Sequence, residues 1–152
     1  MAEYTNTGTQ TVNPGETVVF TTTAVPSRLG LIMHSDGTGE FLLRGGHVGR
    51  GGCQCCKPKT TDYLVAFGAN IAVPTGGTVG AISLAVAVDG ATIPASIMTV
   101  TPAAVEQFFN VSREINAAIF KGCCQSVTIR NVSEQPVLVN AANIVFLRPD
   151  LR

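Results

Sequence analysis

Charge is scarce in this chain of 152 residues: Asp, Glu, Lys and Arg make up only 13% of it, against roughly 25% in an ordinary soluble domain. Ten acidic and ten basic residues cancel to a net charge of zero. The only basic cluster is the short Lys57-Pro58-Lys59 step, so the electrostatic footprint of a nucleic-acid binder is missing. No run approaches the roughly 20 apolar residues of a membrane-spanning helix, which argues against membrane insertion. The opening Met1-Ala2-Glu3-Tyr4-Thr5 lacks the basic start and apolar segment of a secretory signal. A chain synthesised in the cytoplasm is therefore expected, reaching a virion or the extracellular space by lysis, within a particle or through a dedicated exporter.

Histidine is equally sparse, with only two residues, His34 and His47. His34 precedes Ser35-Asp36-Gly37, and consecutive residues on a turn point apart, so Ser35, His34 and Asp36 cannot align as a nucleophile relay. The carboxylates scatter near turns, where solvated turn chemistry is their ordinary role. No calcium loop is spelled out, and Gly45-Gly46-His47-Val48-Gly49 is not followed by the helical pattern that a phosphate-cradling loop needs. The expectation is a non-enzyme with no catalytic residue and no cofactor. Asn110-Val111-Ser112 and Asn131-Val132-Ser133 match the glycosylation acceptor pattern, which recurs by chance.

Long helical periodicity is absent too. Val, Ile and Thr instead alternate through segment after segment, with Gly, Pro, Asn and Asp between them, which is the pattern of an all-β sandwich or barrel. Strands are predicted at Thr9–Val12, Thr17–Thr22, Gly30–His34, Phe41–Leu43, Tyr63–Val73, Thr78–Val88, Ala91–Val100, Val105–Val111, Glu114–Phe120, Ser126–Asn131 and Pro136–Leu147. Asn13-Pro14-Gly15-Glu16 and Ser35-Asp36-Gly37 read as turns, the first joining Thr9–Val12 and Thr17–Thr22 into a ribbon, and Asp89-Gly90 is a strong hairpin signal. Pro102 to Phe109 is the one place where a helical turn is an option. Residues 1–10, polar and rich in Thr and Asn, are expected to be a flexible arm. Residues 11–152 then form a single jelly-roll sandwich of about ten short antiparallel strands, with a Gly/Cys-rich loop at 45–60.

Five cysteines fall into two tight groups: Cys53, Cys55 and Cys56 in the Gly-rich loop, and Cys123 and Cys124 after Lys121-Gly122. Zinc would need four ligands in a tetrahedron, drawn from these sulfurs with His47 or His34, but the Cys-x-Cys-Cys spacing lacks the usual Cys-x2-Cys knuckle. A disulfide pairing would join loop cysteines to Cys123 or Cys124, pinning the loop to the sandwich once the chain meets an oxidising medium. The plain alternative is that Cys123 and Cys124 are small residues partly buried at a strand start.

The apolar content, 45% of the chain, exceeds what so little charge can cover in an isolated monomer. In Thr78–Val88 the large residues Ile82, Leu84, Val86 and Val88 alternate with Ala81, Ser83, Ala85 and Ala87, so one face reads as core and the small face as a close contact with a neighbour. The run Ile144-Val145-Phe146-Leu147 and the doublet Phe108-Phe109 are apolar on both sides. Phe108, Phe109, Val145 and Leu147 are therefore the interface candidates.

Three segments carry a family resemblance: Val79-Gly80-Ala81-Ile82-Ser83-Leu84-Ala85-Val86-Ala87-Val88-Asp89-Gly90, Ile97-Met98-Thr99-Val100-Thr101-Pro102, and Val127-Thr128-Ile129-Arg130-Asn131-Val132-Ser133 continuing through Pro136-Val137-Leu138-Val139 to Ala142-Asn143-Ile144-Val145-Phe146-Leu147-Arg148. Together they resemble the C-terminal jelly-roll domains of collagen-like surface proteins of Gram-positive bacteria, and related small phage and prophage proteins. These share the complement and tumour-necrosis-factor-like fold. The resemblance implies a tight homotrimer with a structural role, such as a capsid decoration or head-fibre protein whose partners are itself and a capsid lattice or fibre. A receptor- or glycan-binding head, using loops around Gly45 to Lys59 on a cell-surface glycan, and a subunit of a bacterial surface layer or filament are the alternatives. The chain carries no Gly-X-Y stalk, and the resemblance does not extend to its cysteine loop.

Overall fold

The computed structural model describes residues 1–46, 60–120, 122 and 124–149. Eleven strands are described: β1 (Ala2–Val12), β2 (Thr22–Val25), β3 (Ile32–His34), β4 (Phe41–Leu43), β5 (Thr60–Ala72), β6 (Ile82–Val88), β7 (Ala91–Thr92), β8 (Met98–Val100), β9 (Phe109–Phe120), β10 (Gln125–Asn131) and β11 (Val137–Leu147). They build two antiparallel sheets. The first has the order β2-β1-β11-β5-β9, and the second runs β3-β4-β10-β6-β7 with β8 also pairing with β6. This is the jelly-roll sandwich that the alternation predicts.

The alternation works as expected because successive side chains on a strand point to opposite faces. On β5, Tyr63, Val65, Phe67, Ala69 and Ile71 point inward and are at most 2% exposed. They meet Phe41, Leu43, Ile82, Leu84, Val86, Val127 and Ile129 from the opposite sheet in one buried core, joined by Ile144 and Phe146 of β11. At one end the core is aromatic: Tyr4, Phe20, Phe41 and Phe146 crowd together, with Phe41 to Phe146 centroids 4.9 Å apart.

The predicted turns form where their residues allow positive φ. Asp89 (φ 48°) and Gly90 (φ 79°) are both left-handed, the mirror-image turn that suits a two-residue hairpin, and it joins β6 to β7. Pro14 and Gly15 (φ 79°) close a turn in which the Glu16 N–H donates to the Asn13 carbonyl at 3.0 Å. Gly45 meets a different demand, since a Cβ there would lie 1.9 Å from the Phe120 carbonyl oxygen.

Several expectations are corrected. Residues 2–10 are not an arm: they belong to β1, which pairs with β11 from Ala2↔Phe146 to Val12↔Val137 and buries Ala2 and Tyr4 to 0% and 3% exposure. The polar, outward residues of the strand hid the inward ones. Thr17–Thr22 does not pair with Thr9–Val12 as a ribbon but crosses between sheets. The Val18 N–H donates to the Ile129 carbonyl and the Thr21 N–H to the Thr5 carbonyl. Ala91–Val100 is split into β7 and β8 by a 3-10 turn at Pro94–Ser96, because proline cannot donate a ladder hydrogen bond. The buried Ser96 hydroxyl repairs the gap, accepting the Val86 N–H at 2.8 Å and donating to the Ile93 carbonyl at 2.7 Å. No helical turn forms before β9, and Phe109–Phe120 is one unbroken strand in register with β5. Finally, Ala85 and Ala87 of β6 are 0% exposed within the single chain, while Ser83 is half-buried and Ala81 exposed, so half of this small face is already covered.

Candidate interaction surface

Outward-facing residues of the first sheet form rows across its central strands. Leu147 lies opposite Leu64, Val145 opposite Ala66, Asn143 opposite Gly68 and Asn140 opposite Asn70. Leu64, Ala66, Leu138, Val145 and Leu147 are all half-buried in the single chain. A polar band, in which Asn140 donates to the Thr9 hydroxyl at 2.9 Å and Asn110 to the Asn70 side-chain Oδ1 at 3.1 Å, separates Leu138 from the other four. Charge on this face is confined to Glu3, Asp62 and Glu114; the Glu3 carboxylate accepts a 2.5 Å hydrogen bond from Asn143. Val145 and Leu147, predicted as interface residues, thus belong to one apolar patch. Leu64, which completes it, was missed, as was Leu138, which also faces outward but lies beyond the polar band. Their signal was the same one, large apolar residues on both faces of a strand.

Phe108 and Phe109 lie apart from that patch, at the start of edge strand β9, and are 43% and 38% exposed. Exposed Val105 precedes the same strand in sequence, and Phe120 at its far end is 62% exposed. Along the rim between the two sheets, Arg113 of β9 donates from Nη2 and Nε to the Ala95 carbonyl at 2.6 and 2.9 Å, clamping β9 to the 3-10 turn of the opposite sheet. The four sequence candidates therefore divide between a sheet face and a sheet edge.

The other singled-out residues have different surroundings. His34 is packed inside the aromatic end of the core: its ring stacks on Phe41 at 4.2 Å and its Nδ1–H donates to the Glu40 carbonyl at 2.9 Å. Asp36 Oδ1 lies 4.0 Å from His34 Nε2 and accepts the Thr23 hydroxyl at 2.9 Å. Burial, and secondarily the Asp36 carboxylate, push the Tyr4 phenol above its ordinary 10.0. Asn131 is 1% exposed and commits its amide group to the Val12 and Gln135 carbonyls at 2.9 and 2.8 Å, so its side chain is a brace between strand ends. Cys124 is half-buried immediately before β10. His47, Cys53, Cys55, Cys56 and Cys123, with the disulfide and zinc readings built on them, lie outside the described residues, as does most of the 45–60 loop.

No protein-family model matches the chain, and no curated protein matches it in sequence. Among solved structures it is similar to the globular domain of zebrafish complement 1qA protein. That match has a TM-score of 0.52 and 12% identity, over 95% of this chain and 94% of that one. Two looser superpositions are to Arthrobacter globiformis T6 isomalto-dextranase complexed with panose (TM-score 0.34, 13% identity, 91% of this chain and 23% of that one) and to the C-terminal CBM6 of LamC, a marine laminarinase from Zobellia galactanivorans (TM-score 0.31, 14% identity, 91% and 99%). The first match, over nearly the whole of both chains, makes this a jelly-roll domain of the complement-like fold. At 12% identity the likeness defines architecture alone.

Proposed function

We propose that the chain is a self-associating structural domain, a homotrimer without enzymatic activity. Its proposed setting is a phage or prophage virion, as a capsid decoration or head-fibre protein outside the producing cell. The observation that carries the self-association is the apolar outer patch of the first sheet, around Val145 and Leu147. A second, different patch at the β9 edge, around Phe108 and Phe109, complements it. When two unlike patches of one chain meet, the contact is heterologous and closes as a ring if the rotation allows. A three-membered ring would bury an edge against a face in each subunit and cover the surface that the sparse charge leaves apolar. The virion setting rests on the resemblance of the segments around Val79–Gly90 and Val127–Arg148.

The test is the native mass of the purified chain by light scattering, with and without reducing agent, followed by mixing with assembled shells. A trimer in both conditions that binds shells supports the proposal. A stable monomer overturns the self-association, and a ladder of species that collapses on reduction points to a disulfide-linked filament instead.

A further inference from the structure

The outward face of the first sheet and the β9 edge of that sheet carry charges of opposite sign. Glu3 of β1, Asp62 of β5 and Glu114 of β9 are the charged residues described on the face, and all three are acidic. One row across the strands runs Glu3, Val145, Ala66, Glu114, so Glu3 lies directly beside Val145 of the apolar patch. Strand β9 has one basic residue, Arg113. Among the described residues, neither Arg113 nor any of these three carboxylates forms an ion pair.

Each of the two charges is held in place with bonding capacity to spare. The Asn143 amide donates to Glu3 Oε1 at 2.5 Å, which fixes the carboxylate against the patch and leaves its second oxygen open. Arg113 is exposed, and its clamp on the Ala95 carbonyl uses Nε and Nη2 but not Nη1. The two cannot meet within one chain. Strands β1 and β9 are separated by β11 and β5, three strand spacings or about 14 Å. Arg113 also turns to the other side of the sheet, toward the 3-10 turn at Pro94–Ser96. Glu114 travels with Arg113 on the same strand, and Asp62 lies opposite Ala118 rather than beside Val145. An edge of another copy seated on Val145 therefore removes water from Glu3 first. A carboxylate buried without a cation is costly, and the β9 edge supplies the cation.

From this complementarity we infer that the contact between copies is keyed by an ion pair, from Arg113 on the β9 edge of one copy to Glu3 on the sheet face of the next. The inference rests on the edge-to-face reading of self-association and adds the contact that sets its register and direction. Each copy gives Arg113 to one neighbour and Glu3 to the other, so the pairs are all used when a ring closes. A guanidinium matches a carboxylate in shape as well as charge. Registers that bring the face carboxylates onto Glu114 of the edge place like charges together, and such juxtapositions suppress wrong contacts.

The experiment follows native mass by light scattering over a dilution series of the full chain. Glu3→Arg and Arg113→Glu should each raise the concentration at which half the chain is assembled by at least about 10-fold. The double reversal should bring it back to near the wild-type value, a rescue that a merely structural role for either residue would not give. Arg113→Lys keeps the charge and supplies a measurement that does not depend on the reversed chains folding. In oligomers mixed from heavy-nitrogen-labelled and unlabelled chains, carbodiimide should join the new amine to Glu3 of another copy, identified by mass spectrometry of the linked peptides. Assembly that either single reversal leaves intact, a folded double reversal that stays dissociated, or an Arg113→Lys oligomer with no linkage to Glu3 overturns the pair alone. A wild-type chain that is monomeric at every concentration overturns the pair together with the reading it rests on.

Discussion

The two sheets of the sandwich solve the same problem differently. On the second sheet the chain itself covers part of the outward side, leaving Met33 and Leu42 half-buried. Ser83 and Thr99 hydroxyls pair at 2.7 Å, Ala85 and Ala87 are fully buried, and Arg130 spans the surface from the Gly15 carbonyl at 2.9 Å to the Gly90 carbonyl at 2.9 Å. Its edges are three residues or fewer, β3 on one side and the proline-broken β7 and β8 on the other. Short, interrupted edges are how proteins discourage strand-to-strand association. The first sheet lacks these devices at β9, an edge of 12 residues without proline, and leaves Leu64, Leu138, Val145 and Leu147 facing outward. The two sheets thus differ most in their edges.

Substitutions sharpen that contrast, beginning with a control that should not respect it. Phe41→Ala removes the ring at the centre of the aromatic cluster that both sheets share, and should cost about 3–5 kcal/mol, read as a lowered denaturation midpoint. Next in size is a matched pair. Val145→Glu on the first sheet should dissociate the proposed trimer, with a loss of at least about 2 kcal/mol per contact as for a central interface residue. Met33→Glu, at an outward position of the second sheet, should leave the native mass unchanged. If light scattering shows both variants dissociated, or neither, the division between the sheets is wrong.

Ser96→Ala tests whether the broken edge of the second sheet depends on its hydroxyl repair. With the Val86 N–H left unpaired in a buried setting, a cost of about 1–3 kcal/mol is expected, measured by urea denaturation with no change in mass. The smallest effect belongs to Asp89 in the β6–β7 turn. The Gln125 side chain at 2.8 Å, then the Ser126 N–H, hold its carboxyl below its ordinary 3.8. A folded-state value below the unfolded one means stability that is present above about pH 3.8 and lost as pH falls through the folded value. The melting temperatures of wild type and Asp89→Asn should therefore differ modestly near about pH 6 and converge below 3.8.

Alternation made most strands legible, and so did the turn residues: Asp89-Gly90 and Asn13-Pro14-Gly15-Glu16 both became turns. Half of the candidate surface was equally legible, since Val145 and Leu147 betray themselves as apolar residues on the outward side of a strand. The errors share a cause. Residues 2–10 look too polar for a strand because only their inward members, Ala2 and Tyr4, record the core. Ala85 and Ala87 of β6 look like part of an interface because nothing local says that the chain will cover them. Glu3 and Arg113, more than a hundred residues apart in the chain, come to lie on the face and the edge of one sheet, and no local pattern announces it.

By itself the sequence determined the class of the fold, the places where the chain turns, and the surplus of apolar surface over charge. Each is a local or compositional property, set by side-chain period, backbone permissiveness and the ratio of residue types. The tertiary structure alone decided which apolar residues the chain covers for itself and which it leaves outward. It also decided that His34 is a core residue, and that Glu3 and Arg113 belong to the face and the edge of one sheet. Those outcomes depend on which strands become neighbours, and strand pairing is a long-range choice made by the packing of the whole core.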